Sequence, residues 1–186
     1  MSAIVAFGVI LWSLGYLDGR IALISVLAWF LVGWVAAPSI MYEHLGFLDR
    51  YVFNDYSKAR SRYRKAFDTG KATADGICAL ASLSFAEGDD VEAISLSEIA
   101  SVARPEDPYI FALLSRALSR SGMHDQAIAA AMKCHLSPLG ETALGDALRA
   151  KGIAIEAAEV YKKAVSRSPG LIEARLGLAG AYLDMA

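Results

Sequence analysis

Small and apolar residues return at fixed spacing through the second half of this chain, and that recurrence limits the folds open to it. From Pro138 to Leu171 the order is Leu144, Gly145 and Leu148, then Gly152, then Ala157, Tyr161 and Ala164, then Pro169. From Ala74 to Asp107 the same places hold Leu80 and Ala81, Gly88, Ala93, Ser97 and Ala100, and Pro105. From Pro108 to Ser137 they hold Phe111, Leu114, Ser115 and Leu118, Gly122, then Ala127, Ala131 and Cys134; this segment is four residues short. From Ile172, Leu178, Ala179 and Tyr182 begin the pattern again. No period-two alternation of β-branched residues occurs, so these segments predict helix pairs, 74–107, 108–137, 138–171 and a partial 172–186. Ala81, Ser115, Gly145 and Ala179 let two helices approach closely within a pair. Alanines and Tyr161 on the second helix fill the space between pairs, and a glycine ends each first helix in a left-handed turn. One such pair cannot bury its apolar face, so stacking supplies the core.

These residues resemble the tetratricopeptide repeat (TPR) family: Leu-Gly on helix A, Gly at the turn, Ala-x3-Tyr-x2-Ala on helix B, and a closing Pro. The resemblance implies an all-α solenoid of antiparallel helix pairs that binds other proteins along a concave face lined by the first helices. Carrying over the family's groove positions gives Tyr109, Ala112, Arg116, Arg120, Asp146 and Arg149. Three arginines there suit an acidic segment or a chain-terminal carboxylate. The last segment, 172–186, is apolar on more than one face, so Leu176, Leu178, Tyr182 and Leu183 are read as a second partner-binding surface.

The first forty residues are a different material. From Met1 to Tyr42 only Asp18 and Arg20 are charged. Ile21–Tyr42, 22 uncharged residues, would make a helix of about 33 Å against a hydrocarbon core of about 30 Å. Residues 2–17 reach about 25 Å, and Leu17-Asp18-Gly19-Arg20 reads as a tight turn. The expectation is a transmembrane hairpin of helices 2–17 and 21–42; the alternative is one span preceded by an interfacial segment. Trp12, Trp29 and Trp34 suit headgroup or interhelical positions, and Gly33 with Ala37 makes a small-xxx-small pair. No basic residue precedes the first apolar run, which argues against a cleaved leader.

Residues 43–73 read as a basic, aromatic connector. Within it Ala59, Tyr63 and Ala66 repeat the helix-B spacing, so 56–67 reads as an orphan helix, while Arg60, Arg62, Arg64 and Lys65 suit lipid headgroups. That basic cluster places the repeat domain on the cytoplasmic side of a membrane such as the bacterial inner membrane. Two apolar runs, a basic connector and the segment ALASLSFAEGDDVEAISLSEIASVARPEDP also resemble the HemY-type N-terminal domain. That resemblance implies an accessory role in tetrapyrrole metabolism.

Residues 73–186 carry a net charge of −5, which argues against nucleic acid as a partner. The histidines have no metal-ligand spacing, Cys78 and Cys134 have no CxxC partner, and no Walker loop, GxSxG elbow or GxGxxG turn occurs. The sequence therefore predicts a membrane-anchored scaffold without cofactor, metal or catalytic activity. Its expected partners are proteins in or at the bilayer, in the role of assembly factor or accessory subunit of a membrane complex.

Overall fold

The computed structural model describes residues 37–186, which are helical throughout apart from short connections. They fall into two compact units divided between Thr73 and Ala74.

The described part of the first unit is one antiparallel hairpin of α1 (Pro38–Tyr51) and α2 (Tyr56–Asp68). Pro38 starts α1 at a position where its missing N–H costs nothing. Asn54, at φ 52°, turns the chain, and the Asp55 side chain caps α2 by accepting from the Lys58 amide. Ala59, Tyr63 and Ala66 are buried, and Tyr63 lies so close to α1 that a Cβ on Gly46 would stand 3.0 Å from its ring. Burial pushes the Tyr63 phenol up to about 12. The helix expected to be an orphan therefore has a partner, α1, whose residues the sequence pattern divides between a membrane span and a linker.

The described helices do not bear out the expected transmembrane hairpin. No described helix is long and apolar enough to cross a membrane. The longest have 14 residues, about 21 Å against the 30 Å required. The end of the expected 21–42 span belongs to α1, which begins at Pro38 and continues through Glu43, His44, Asp49 and Arg50. Ala37 is the N-cap of that helix. The remainder of both expected spans, with Trp12, Trp29, Gly33 and Trp34, lies outside the described residues. The assignment to an inner membrane, with a cytoplasmic repeat domain and a lipid partner, loses its footing with the anchor. The basic cluster also has protein partners: Arg62 Nε lies 2.8 Å from the buried Asp49 carboxylate, Lys65 stands over the Tyr42 ring and Arg64 over Phe67.

The second unit is a stack of seven helices among the described residues. They are α3 (Ala74–Glu87), α4 (Asp90–Ala103), α5 (Pro108–Arg120), α6 (His124–Met132), α7 (Pro138–Ala150), α8 (Ala154–Arg167) and α9 (Ile172–Asp184). Each helix packs on the next, and α5 also packs on α7 and α7 on α9, so the first helices of successive pairs line one side. Asp89, Asp107 and Ser137 cap the helices that follow them. Gly88, Gly122 and Gly152 turn between the helices of a pair at φ 90°, 79° and 85°, a region a side chain would strain.

The three pairs share one register. First helices begin at 74, 108 and 138, and second helices 16 residues later at 90, 124 and 154. The missing residues of the middle pair come out of α6, which has only nine. This brings the Cys134 turn against the start of α7, where a Cβ on Gly140 would fall 1.9 Å from the Cys134 carbonyl oxygen. Both cysteines are buried and not joined in a disulfide, and burial pushes the Cys134 thiol up to about 11.

Tyr161, fully buried, is the centre of the C-terminal core with Phe111, Ala131, Leu144, Ala157 and Ala181. Its ring has room because two glycines face it. A Cβ on Gly145 of α7 would meet the ring at 2.7 Å, and one on Gly177 of α9 at 2.3 Å. A second cluster, Leu114, Leu118, Ala127, Ala130 and Ala147, continues the seam across α5, α6 and α7.

Candidate functional site

The helix-A side of the second unit carries two charged arrangements. The first is built on Phe85 near the end of α3. Arg120 of α5 lies over its ring, 3.8 Å from the centroid, and Arg116, one turn earlier, stands 5.4 Å from it. Arg120 is fully committed: its Nε donates to both Asp90 oxygens at 2.6 and 2.8 Å, and Nη2 donates to the Phe85 carbonyl at 2.6 Å. Arg116 is exposed and makes no ion pair among the described residues. Tyr109, on the first turn of α5, is 46% exposed, while Ala112 is buried in the floor between them.

The second arrangement is a small open pocket of about 330 Å³ lined by Asp146, Arg149, Ala150, Tyr161 and Asp184. The Tyr161 hydroxyl donates to Asp146 Oδ1 at 2.5 Å. Burial raises the pKa of the Asp146 carboxyl, and the Tyr161 hydrogen bond, with Arg116 and Arg149 nearby, opposes that rise. The same burial raises the Tyr161 phenol. Arg149 reaches across α9 to Asp184, with Nε 2.5 Å from Oδ2, and lies flat over Gly180, where a Cβ would stand 2.6 Å from the guanidinium carbon. The pairing in turn raises the Arg149 pKa.

Of the six residues expected in the groove, Arg116 and Tyr109 present free side chains and Ala112 is buried, whereas Arg120, Asp146 and Arg149 hold helices together. The sequence reading missed Phe85, Asp90 and Asp184. They stand some thirty residues from the arginines they hold, and only the stacking register brings them near. Among the described residues, no group of three or more His, Cys, Asp or Glu side chains is placed to hold a metal ion.

On α9 the four expected contact residues divide. Leu178 packs partly against the core, while Leu176, Tyr182 and Leu183 stay exposed. Of the residues expected at lipid headgroups, Arg62, Arg64 and Lys65 make the protein contacts described above.

No protein-family model and no curated protein matches the chain. Solved structures do. YrrB, described as a TPR protein with an unusual peptide-binding site, is 19% identical, with 92% of this chain and 88% of that one covered at a TM-score of 0.67. TTC0263, a thermophilic TPR protein in Thermus thermophilus, is 18% identical over 96% of this chain and 97% of that one, at 0.64. MamA is 20% identical over 79% and 82%, at 0.65. The fold is a TPR-type α-solenoid.

At these identities the likeness fixes the fold and nothing finer. The HemY-type likeness, with the tetrapyrrole role it implied, gains no support, since none of these matches is of that type. What the TPR fold explains is the register. Leu144, Gly145, Ala157, Tyr161 and Ala164 face inward because the two helices of a pair must interlock, which leaves the outer turns of the first helices to carry charge.

Proposed function

We propose that this chain is a protein–protein interaction scaffold that holds an extended partner segment along the helix-A side of its TPR stack. Arg116 carries the reading. Its guanidinium is held over Phe85, exposed and without a carboxylate of its own among the described residues, while neighbouring arginines are consumed by Asp90 and Asp184. A side chain ordered by a ring, with its charge unspent, is a ready-made anchor for a ligand carboxylate. Tyr109 adds an amphipathic surface about two helix turns away. A solved protein of the same fold is described as having a peptide-binding site, which supports the class of ligand.

The expectation of three carboxylate-binding arginines narrows accordingly to one. A library of acidic peptides panned against the full-length chain tests this. R116A is expected to weaken selected peptides about tenfold, about 1.4 kcal/mol, and Y109A to add to that loss. Selected peptides that bind R116A and Y109A as tightly as the parent chain would refute the reading.

A further inference from the structure

On the inner side of the stack two opposite charges stand on neighbouring helices and do not pair. First helices begin at 74, 108, 138 and 172, so Ser82, Arg116, Asp146 and Gly180 hold the same place on α3, α5, α7 and α9. Because α5 packs on α7, Arg116 and Asp146 are neighbours along this row. Arg116 is near enough to favour the charged form of the Asp146 carboxyl, yet no ion pair joins the two among the described residues. Both are interior to the stack, with α3 packed on α5 and α9 packed on α7.

Each charge is held by a group that leaves it unneutralised. The Phe85 ring, 5.4 Å from the Arg116 guanidinium, orients that group without cancelling its charge. Asp146 accepts the Tyr161 hydroxyl on Oδ1 at 2.5 Å, and its Oδ2 has no hydrogen bond or ion pair among the described residues. On the other side of Asp146, the Arg149 guanidinium lies over Gly180 and is taken by Asp184.

Asp146 opens into the pocket of about 330 Å³ that it lines with Arg149, Ala150, Tyr161 and Asp184. Two carboxylates face one guanidinium there, and Ala150 offers an apolar wall to the alkyl stem of a long side chain. Burial and the nearby Glu173 both raise the Asp146 pKa, and a cation brought to the carboxylate opposes both effects.

We propose that the segment held on Arg116 carries a basic side chain two residues from its carboxylate side chain, and that Asp146 receives it. The site then reads an acid-x-base pair, not an acidic run. This rests on the Arg116 reading and adds the chemistry of the next position. The interval follows from geometry. Packed helices lie about 8–10 Å apart. Side chains two residues apart on an extended segment leave the same face about 7 Å apart, and adjacent ones leave opposite faces. Glutamate with lysine or arginine is long enough to spread over the difference. A second carboxylate at that position would meet Asp146, where like charges repel.

A peptide library with one fixed glutamate and randomised neighbours, panned against the full-length chain, tests the proposal. Lysine or arginine should be enriched two residues from the glutamate. D146N, which keeps an acceptor for Tyr161, should erase that enrichment. In a selected peptide, glutamine in place of the basic residue should weaken binding to the parent chain about tenfold and leave binding to D146N nearly unchanged. That change is made in the peptide, so the comparison stands even if D146N is less stable. Enrichment of a second acidic residue, or of no charge, overturns the proposal, as does a glutamine peptide that loses as much on D146N as on the parent chain. In those cases a loss on R116A still upholds the Arg116 anchor. Peptides that bind R116A as tightly as the parent chain overturn the anchor and the acid-x-base pair together.

Discussion

The stack solves one packing problem in two ways, seen at α3–α4–α5 and at α7–α8–α9. In the later segment a fully buried tyrosine, Tyr161, fills the space between pairs, and glycine stands on both helices that face it. In the earlier segment the equivalent second-helix position holds Ser97, and the equivalent first-helix positions hold Ala81 and Leu113, all buried. Volume has moved from the second helix to the first, and the helix positions have stayed. The lesson is that the repeat fixes how much side chain a site must contain, while leaving open which helix provides it. The two solutions differ in their polar groups as well. The Tyr161 hydroxyl reaches Asp146 at the edge of the stack, whereas the Ser97 and Ser115 hydroxyls are buried with no hydrogen-bond partner among the described residues.

That contrast can be tested by moving volume and polarity deliberately. The largest effect should follow from G177A, which places a methyl group 2.3 Å from the Tyr161 ring. A loss of about 3 kcal/mol is expected in urea unfolding, and a loss under about 0.5 kcal/mol would show that α9 can simply move away. Combined with Y161S, the same substitution should be far less costly than the two single losses together. A coupling of about 1–3 kcal/mol in the double-mutant cycle would mark the pair as one volume unit; strict additivity would dissolve the comparison.

Tyr161→Phe keeps the ring and deletes the hydroxyl, so it should cost about 1.5 kcal/mol through the Asp146 bond alone. Ser97→Ala should act in the opposite direction, stabilising the early segment by about 1 kcal/mol, because it removes a buried hydroxyl that no bond offsets. A destabilised S97A protein would mean that this oxygen has a partner after all.

The smallest effect is a pH dependence. Burial raises the Asp146 pKa above its ordinary carboxylate value, so between those two values the folded protein holds more protons than the unfolded chain. Stability contributed by the protonated group is present at low pH and falls as pH rises from about 4 through the folded pKa. Asp146→Asn removes the titration and keeps an acceptor for Tyr161. Its stability relative to the parent should therefore increase from about pH 4 to about pH 8 in parallel denaturation curves, and a flat difference would show that Asp146 does not titrate in that window.

Much of the stack was legible in the residues. Pro108 and Pro138 at first helical positions, Asp89, Asp107 and Ser137 as caps, and glycines 88, 122 and 152 mark the boundaries by rules that act within a single turn of helix. The interior alanines were readable because their spacing repeats. The hairpin before the stack was not. Its first helix has Gly46 against Tyr63, but its second helix begins 18 residues after the first, which throws the pair out of the 16-residue register, and the apolar run ending at Tyr42 hides where α1 begins. Hydropathy reports average composition and cannot see that Pro38 starts a new helix with Glu43, Asp49 and Arg50 along it. The expected groove residues lie on first helices, but which of them are already paired was not visible. Whether an arginine is free or spent depends on a carboxylate thirty or more residues away, as with Arg120 and Asp90 or Arg149 and Asp184.

Local chemistry thus set where helices start, stop and show their small side chains, because capping, turn geometry and periodicity involve neighbours within a few residues. Only the assembled stack decided which charges remain available to a partner and which side chains fill one gap together. Both depend on groups that the chain brings together across a whole repeat, where the separation along the sequence carries no information about the distance in space.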